Sequence, residues 1–366
     1  MKAAPVAPFR PFFLLVALDA ILGAAVWIPI PHAGGATEAG EWHRDVLLFG
    51  TIPAMLAGFL LTALPRWTGR PPIPATATWP LVALWLCGRA AFLFVSPEWG
   101  LALASLFLLA LVLVAAACIL AAGDRRNVTV LLLLLVFCGS AVLTAASLRV
   151  DLALRAAIAA IVGLLIVIAG RVVPALTTAF GEHEGATPAI RPSRAVERIA
   201  AAASACALCA WVAVPEAVPT GLAAALAACG QAARLARWRG WRIPARPVLA
   251  LHAGYGWIVA GFALLATHIL APAWVDRLAP VHAWTIGATG TLGLSIMTSM
   301  MRRHGRRAFA RLGSATAASV LVTASCLSRL LAGPLPGDPS VWLALSGAFW
   351  VAAFCLFLDS YRRLRS

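Results

Sequence analysis

Residues 101–122 read LALASLFLLALVLVAAACILAA, a run without a single charge. As a helix rising about 1.5 Å per residue it spans roughly 33 Å, the thickness of a bilayer's hydrocarbon core. The composition of the whole chain agrees with that stretch. Of 366 residues, 62% are apolar and 12% charged, about half the charged share of a soluble domain. The mean hydropathy is +0.90. Working outward, comparable spans fall at 12–30, 46–64, 79–95, 101–122, 128–148, 152–180, 199–214, 217–233, 248–269, 281–301, 312–327 and 341–358. The expected fold is therefore all-α: a polytopic membrane bundle of about twelve transmembrane helices, with residues 1–366 forming a single integral membrane domain.

The net charge of +15 reads as topology rather than nucleic-acid binding, because the basic residues occupy alternate loops. One set carries Lys2 and Arg10, Arg66 and Arg70, Arg125 and Arg126, Arg191 to Arg198, Arg234 to Arg246, Arg302 to Arg311 and Arg362 to Arg365. The other carries Glu38, Glu41, Glu98, Glu216, Asp276 and Asp338, with scattered Arg44, Arg149 and Arg277. Since cytoplasmic loops retain Lys and Arg, the first set is expected inside and both termini cytoplasmic. The first span lacks a small-residue cleavage site followed by a soluble domain, so it is read as retained. The eight cysteines lie within apolar spans, which argues against a disulfide framework, and Cys206 and Cys209 read as small packing residues.

Ionisable residues inside spans are costly in lipid and mark candidate sites. Asp19 and Arg89 are read either as an interhelical ion pair or as ligand contacts. Arg171 sits in Gly170-Arg171-Val172-Val173-Pro174, where Pro174 removes a backbone donor. Its guanidinium suits a carboxylate, or else snorkels to the membrane edge. His32, His43, His268 and His282 fall toward one end of their spans, and His183, His252 and His304 toward the other. His282 and His304, 22 residues apart, are separated by roughly 33 Å along an ideal helix and cannot share one metal ion. On that helix they share a face with Thr289, Gly293 and Met300, beside Gly287 and Gly290. A glycine-thinned face admits a neighbouring helix or a flat cofactor. His252 and His268 stand about 160° apart around their helix, and His252, among small residues, is the better ligand candidate.

In order along nearly the whole chain, these segments resemble the NnrS family, haem- and copper-containing membrane proteins of the bacterial nitric oxide response. The resemblance rests on Phe9-Arg10-Pro11-Phe12-Phe13, Trp42-His43, Gly58-Phe59-Leu60-Leu61-Thr62-Ala63, Pro65-Arg66-Trp67-Thr68-Gly69-Arg70-Pro71-Pro72 and Leu84-Trp85-Leu86-Cys87-Gly88-Arg89. It continues through Gly170-Arg171-Val172-Val173-Pro174, Leu251-His252, Gly254-Tyr255-Gly256-Trp257, His282 with Thr285, Gly287, Gly290 and Thr291, and His304-Gly305-Arg306. It implies His43, His252, His282 and His304 as metal ligands, a haem of b type, Arg171 or Arg89 for its propionates, and nitric oxide as small ligand. It also implies a place in the bacterial inner membrane.

The chain departs from the family where Trp-His-x-His-Glu-Met is usual and Trp42-His43-Arg44-Asp45-Val46-Leu47 stands instead. An imidazole, a carboxylate and a thioether are lost, and a carboxylate at Asp45 holds Cu(I) poorly. Weakened or absent copper is the expectation, with Asp45 otherwise a solvated loop residue or a ligand to another metal. Two rival readings remain open: a twelve-helix secondary transporter, and a metal-free family member with an interaction role.

Overall fold

A computed structural model describes residues 7–27, 36–186, 190, 191, 193–305, 309, 312–333 and 338–365. Lys2, Ile30, His32, Arg306 and Arg311 lie outside them. The described chain is helical, with no strand among the described residues. Ten of its helices are long and apolar enough to cross a membrane. It divides into two compact units, residues 1–161 and 162–366.

The first unit comprises α1 (Phe9–Trp27), α2 (Ala36–Val46), a π-helical segment π1 (Leu47–Thr51), α3 (Ile52–Thr68), α4 (Ala75–Phe94), α5 (Pro97–Ala121) and α6 (Val128–Ala145). The start of α7 (Val150–His183) also belongs to it. α1 packs on α3, α3 on α5, and α5 stands between α4 and α6. Local signals explain the boundaries. Ser96 caps α5 by accepting from the Trp99 amide, with Pro97 in the first turn. Gly69 closes α3 in the left-handed conformation. Inside, Phe12 lies against Phe107 and Phe49 against Phe137, centroids 6.0 Å apart in each pair. Outward, Leu106, Leu109 and Leu113 of α5 and Leu132 and Leu135 of α6 are exposed, as lipid-facing positions should be.

The second unit takes the rest of α7, then α8 (Arg194–Ala213), α9 (Val218–Trp238), a 3₁₀ turn (Gly240–Arg242) and α10 (Arg246–Leu270). It continues with α11 (Ala279–His282), a second π-helical segment π2 (Ala283–Gly290), α12 (Thr291–His304), α13 (Gly313–Leu331) and α14 (Pro339–Arg365). α9 packs between α8 and α10, α13 pairs with α14, and π2 and α12 rest on both α10 and α13. Trp284 of π2 is buried between Trp211 and Phe262, at 5.5 and 5.2 Å.

Within the described residues each of the twelve sequence-read spans falls on a helical segment, residues 28–30 of the first lying outside them. The two that fall outside the ten are α9 and the α11–π2–α12 run. Polar and small residues explain this: Gln231 and Arg234 in α9, and Thr285, Gly287, Thr289, Gly290, Thr291 and Gly293 in the other run.

π1 has a physical cause. Pro53 has no N–H to offer the carbonyl one turn back, and the ladder slips so that the Ile52 amide bonds the Leu47 carbonyl five residues earlier. π-segments of this kind cluster at functional sites, and each of the two follows closely on a candidate histidine, His43 or His282.

Candidate functional site

In the first unit the polar centre is a buried ion pair. Arg89 Nε stands 3.1 Å from Asp19 Oδ1, and the Thr51 hydroxyl donates to Asp19 Oδ2 at 2.6 Å. Arg89 also donates to the Val46 carbonyl at 3.3 Å, and Trp85 Nε1 to the Gly50 carbonyl at 3.0 Å. Asp19 and Arg89 are 8% and 9% exposed. Gly50 leaves room here, because a Cβ at that position would overlap the Arg89 guanidinium as it is placed. Of the two readings open for Asp19 and Arg89, the ion pair is the one the geometry displays. It ties α1, π1 and α4 together.

His43 and Asp45 both lie inside α2. Asp45 is buried and chelated by its neighbour, with Arg44 Nε at 2.7 Å and Nη2 at 3.0 Å from its two oxygens. It is thus neither in a loop nor solvated, and both oxygens are occupied by a guanidinium. Residues two apart on a helix point about 200° apart, so positions 43 and 45 do not converge on one ion.

In the second unit His252 is buried, and both ring nitrogens are used. A carbonyl only accepts, so the 2.9 Å contact to Val248 makes Nδ1 the donor. Nε2 then accepts from the Gly240 amide at 3.1 Å. In this arrangement the lone pair a metal would need holds the arginine-rich turn after α9.

Close by, Arg234 sits at a junction of helices. It pairs with Glu197 at 2.6 Å and donates to the Tyr255 hydroxyl at 2.8 Å and to the Ile166 carbonyl at 3.2 Å. Tyr255 donates to Gln231, whose amide reaches Ser204 at 2.8 Å. Gly170 has no side chain where the Arg234 guanidinium lies. The guanidinium packed at the Gly170 segment is therefore Arg234, while Arg171 is exposed on α7. Sequence reading placed Arg234 in a charged loop. The signal that α9 continues through it was the apolar pattern of Leu235 and Trp238 beyond.

His282, at the end of α11, donates Nδ1–H to the Leu278 carbonyl at 2.8 Å. That fixes Nε2 as the lone-pair nitrogen, the arrangement usual in metal-ligating histidines. The buried Cys326 thiol donates to the His282 carbonyl at 3.7 Å. His304 has the same tautomer through the Met300 carbonyl at 3.0 Å. The face expected to join His282 to Thr289, Gly293 and Met300 assumed an unbroken α-helix. π2 intervenes, and its wider turns change the rotation per residue. The approach surfaces at Gly287 and Gly290 are taken by Trp257 and Trp350. Gly293 is buried and Met300 half-buried on α12.

Among the described residues no three of His, Cys, Asp and Glu come together as a metal-ligand group. The donor set consists of separated histidines, which suits a porphyrin, whose iron needs one or two protein ligands, better than an ion held by side chains alone. Arg302 escaped notice in the sequence, hidden in a basic run, yet it is 2% exposed.

A family profile described as NnrS protein matches residues 6–364. Among curated proteins, none matches the chain.

Proposed function

We propose, because this chain belongs to the NnrS family, that it is a haem-binding membrane protein of the nitric oxide response in the bacterial inner membrane. On this reading residues 1–366 form one integral membrane domain that crosses the bilayer twelve times, with both termini cytoplasmic. The observation that carries the reading is His282, a histidine of the family pattern whose Nδ1–H is held by the Leu278 carbonyl, the tautomer usual in metal-ligating histidines.

A haem held by His282 would supply an iron able to bind a diatomic gas. The chain's own part is orientation and exclusion. Trp284, packed among Trp211 and Phe262, fixes the backbone next to His282, and the Cys326 thiol steadies the carbonyl of His282 itself. His304, at the far end of the same run, serves a different site. Arg89 is committed to Asp19 and is a poor propionate partner. His43 keeps an outer role without help from position 45.

The test is a pyridine haemochrome spectrum with metal analysis on the purified chain. About one haem per chain is expected, with copper well below one per haem. Colourless protein from haem-replete cells would defeat the reading. Asp45→His should leave copper low, because the helix separates positions 43 and 45. Stoichiometric copper, in the native chain or in this variant, would overturn that expectation. For topology, reporter fusions after Arg365 and within Gly240–Arg242 should both give cytoplasmic signals, since several arginines in a short turn resist translocation. A periplasmic signal from either would refute the twelve-span arrangement.

A further inference from the structure

The turn between α9 and α10 gathers positive charge at the surface. Arg237, Arg239, Arg242 and Arg246 fall within ten residues, and Arg191 joins them from the segment after α7. The two segments are stitched together by their backbones: the Arg191 amide donates to the Arg237 carbonyl at 3.1 Å, and Arg237 Nε donates to the Arg191 carbonyl at 2.7 Å. Beneath them Ile243, Ala245 and Val248 are buried against Phe180, and the Gly240 amide is held by His252. The cluster is thus fixed from below.

Its charge is uncompensated. Among the described residues no carboxylate pairs with Arg191, Arg237, Arg239 or Arg242, and Glu197 of α8 is taken by Arg234 at 2.6 Å. Partial burial, and then the charges of Arg191, Arg242 and Arg237, hold Arg239 below the usual arginine pKa. Like charges gathered this way repel, and an anion among them relieves the repulsion. Arg239 also stands at φ +51°, in the left-handed region. Glycine occupies that region freely, whereas an arginine there is strained, and strain of this kind gathers at ligand clamps.

The cluster runs on into a lipid-facing surface. Trp241, inside the turn, is 58% exposed, and tryptophan is the residue favoured at the headgroup level of a bilayer. α10 is long and apolar enough to cross a membrane. Arg246, Leu249 and Ala253 are all exposed on it, and their spacing puts them on one face.

We propose that the cluster binds the headgroup of diphosphatidylglycerol, a phospholipid with two phosphodiesters, and that an acyl chain lies along the Leu249 and Ala253 face of α10. One phosphodiester brings a single negative charge to four arginines, and two on one headgroup answer them better. Guanidinium also matches phosphate oxygens in fork geometry, and basic surfaces beside membrane helices suit such headgroups. A free phosphate anion would meet the charge alone, with no part for Trp241 or the apolar face. Neither haem nor nitric oxide enters into this site.

The purified full chain, delipidated in a neutral detergent, is titrated with tetraoleoyl diphosphatidylglycerol, dioleoyl phosphatidylglycerol, dioleoyl phosphatidylcholine and sodium pyrophosphate. Native mass spectrometry counts bound lipid, and the melting temperature is read beside it. The two-phosphate lipid should bind at least about tenfold tighter than phosphatidylglycerol, with phosphatidylcholine weaker still. Arg191→Gln combined with Arg239→Gly and Arg242→Gln should bring that ratio near one. Removing two exposed arginines elsewhere, Arg125→Gln with Arg126→Gln, should leave it unaltered. Arg239→Gly alone should weaken diphosphatidylglycerol roughly fivefold, the usual effect of one arginine at an anionic headgroup. Glycine suits the backbone at that position, so this variant keeps the fold even where the triple variant does not.

Equal binding of the two anionic lipids would overturn the proposal. So would stabilisation by pyrophosphate equal to that by diphosphatidylglycerol, which would make this a site for free anions. Unchanged affinity in Arg239→Gly, or an equal loss in the Arg125 and Arg126 variant, would reduce the effect to bulk charge and sink the idea.

Discussion

Replacing Asp19 by alanine should lower the stability of the first unit by about 3–5 kcal/mol, the usual consequence of leaving one member of a buried ion pair alone. Arg89 has little else to turn to: one backbone carbonyl at 3.3 Å and the rings of Phe92 and Trp85, 4.8 and 5.8 Å from its guanidinium carbon. The Thr51 hydroxyl would lose its acceptor at the same time. The measurement is the melting temperature of the solubilised chain, beside the double variant Asp19→Ala with Arg89→Leu. Removing both charges should recover most of the loss, since an apolar pair of similar bulk satisfies the same space. An unchanged melting temperature in the single variant, or no recovery in the double, would show that the pair is not what joins α1, π1 and α4.

His282→Ala is expected to abolish haem binding, while His252→Ala retains it. The two were equivalent candidates in the sequence, and hydrogen bonding separates them. His282 has its tautomer set by the Leu278 carbonyl, the form usual in metal-ligating histidines, whereas the Nε2 of buried His252 accepts from the Gly240 amide. Haem content per folded chain is the readout, with protease sensitivity of the turn Gly240–Arg242 as the companion. His252→Ala should expose that turn to cleavage without loss of colour. Loss of haem in His252→Ala with full haem in His282→Ala would reverse the assignment. His304→Ala should leave the His282 chromophore unaltered.

Most of the architecture was legible because lipid imposes so few solutions: apolar runs of adequate length must be helices, and among the described residues ten helices are long and apolar enough to cross a membrane. What sequence could not supply was the phase within those helices. The stripe from His282 to Met300 holds only at 100° per residue, and an eight-residue π segment breaks that periodicity. Position 45 was read as loop because the helix before π1 is polar and short. Arg234 and Arg302 were hidden by a different mechanism, since a basic run beside a span looks like a solvated loop whether or not its first member turns inward. Asp19 with Arg89 was readable as a pair, because two opposite charges in otherwise apolar spans have few other ways to be tolerated.

The π segments separate two tasks that an uninterrupted helix would couple. Adding or removing one residue in an α-helix turns everything beyond it by about 100°. Here the extra residue is absorbed at the joint. Downstream of π2, Leu292 keeps its seat against Gly254, and downstream of π1, Gly58 keeps its seat against Phe12 and Phe13. Upstream, His282 and His43 hold a bearing set apart from those packing faces. Such a joint lets the residues at the mouth of a helix be re-aimed while the wall behind them stays in register.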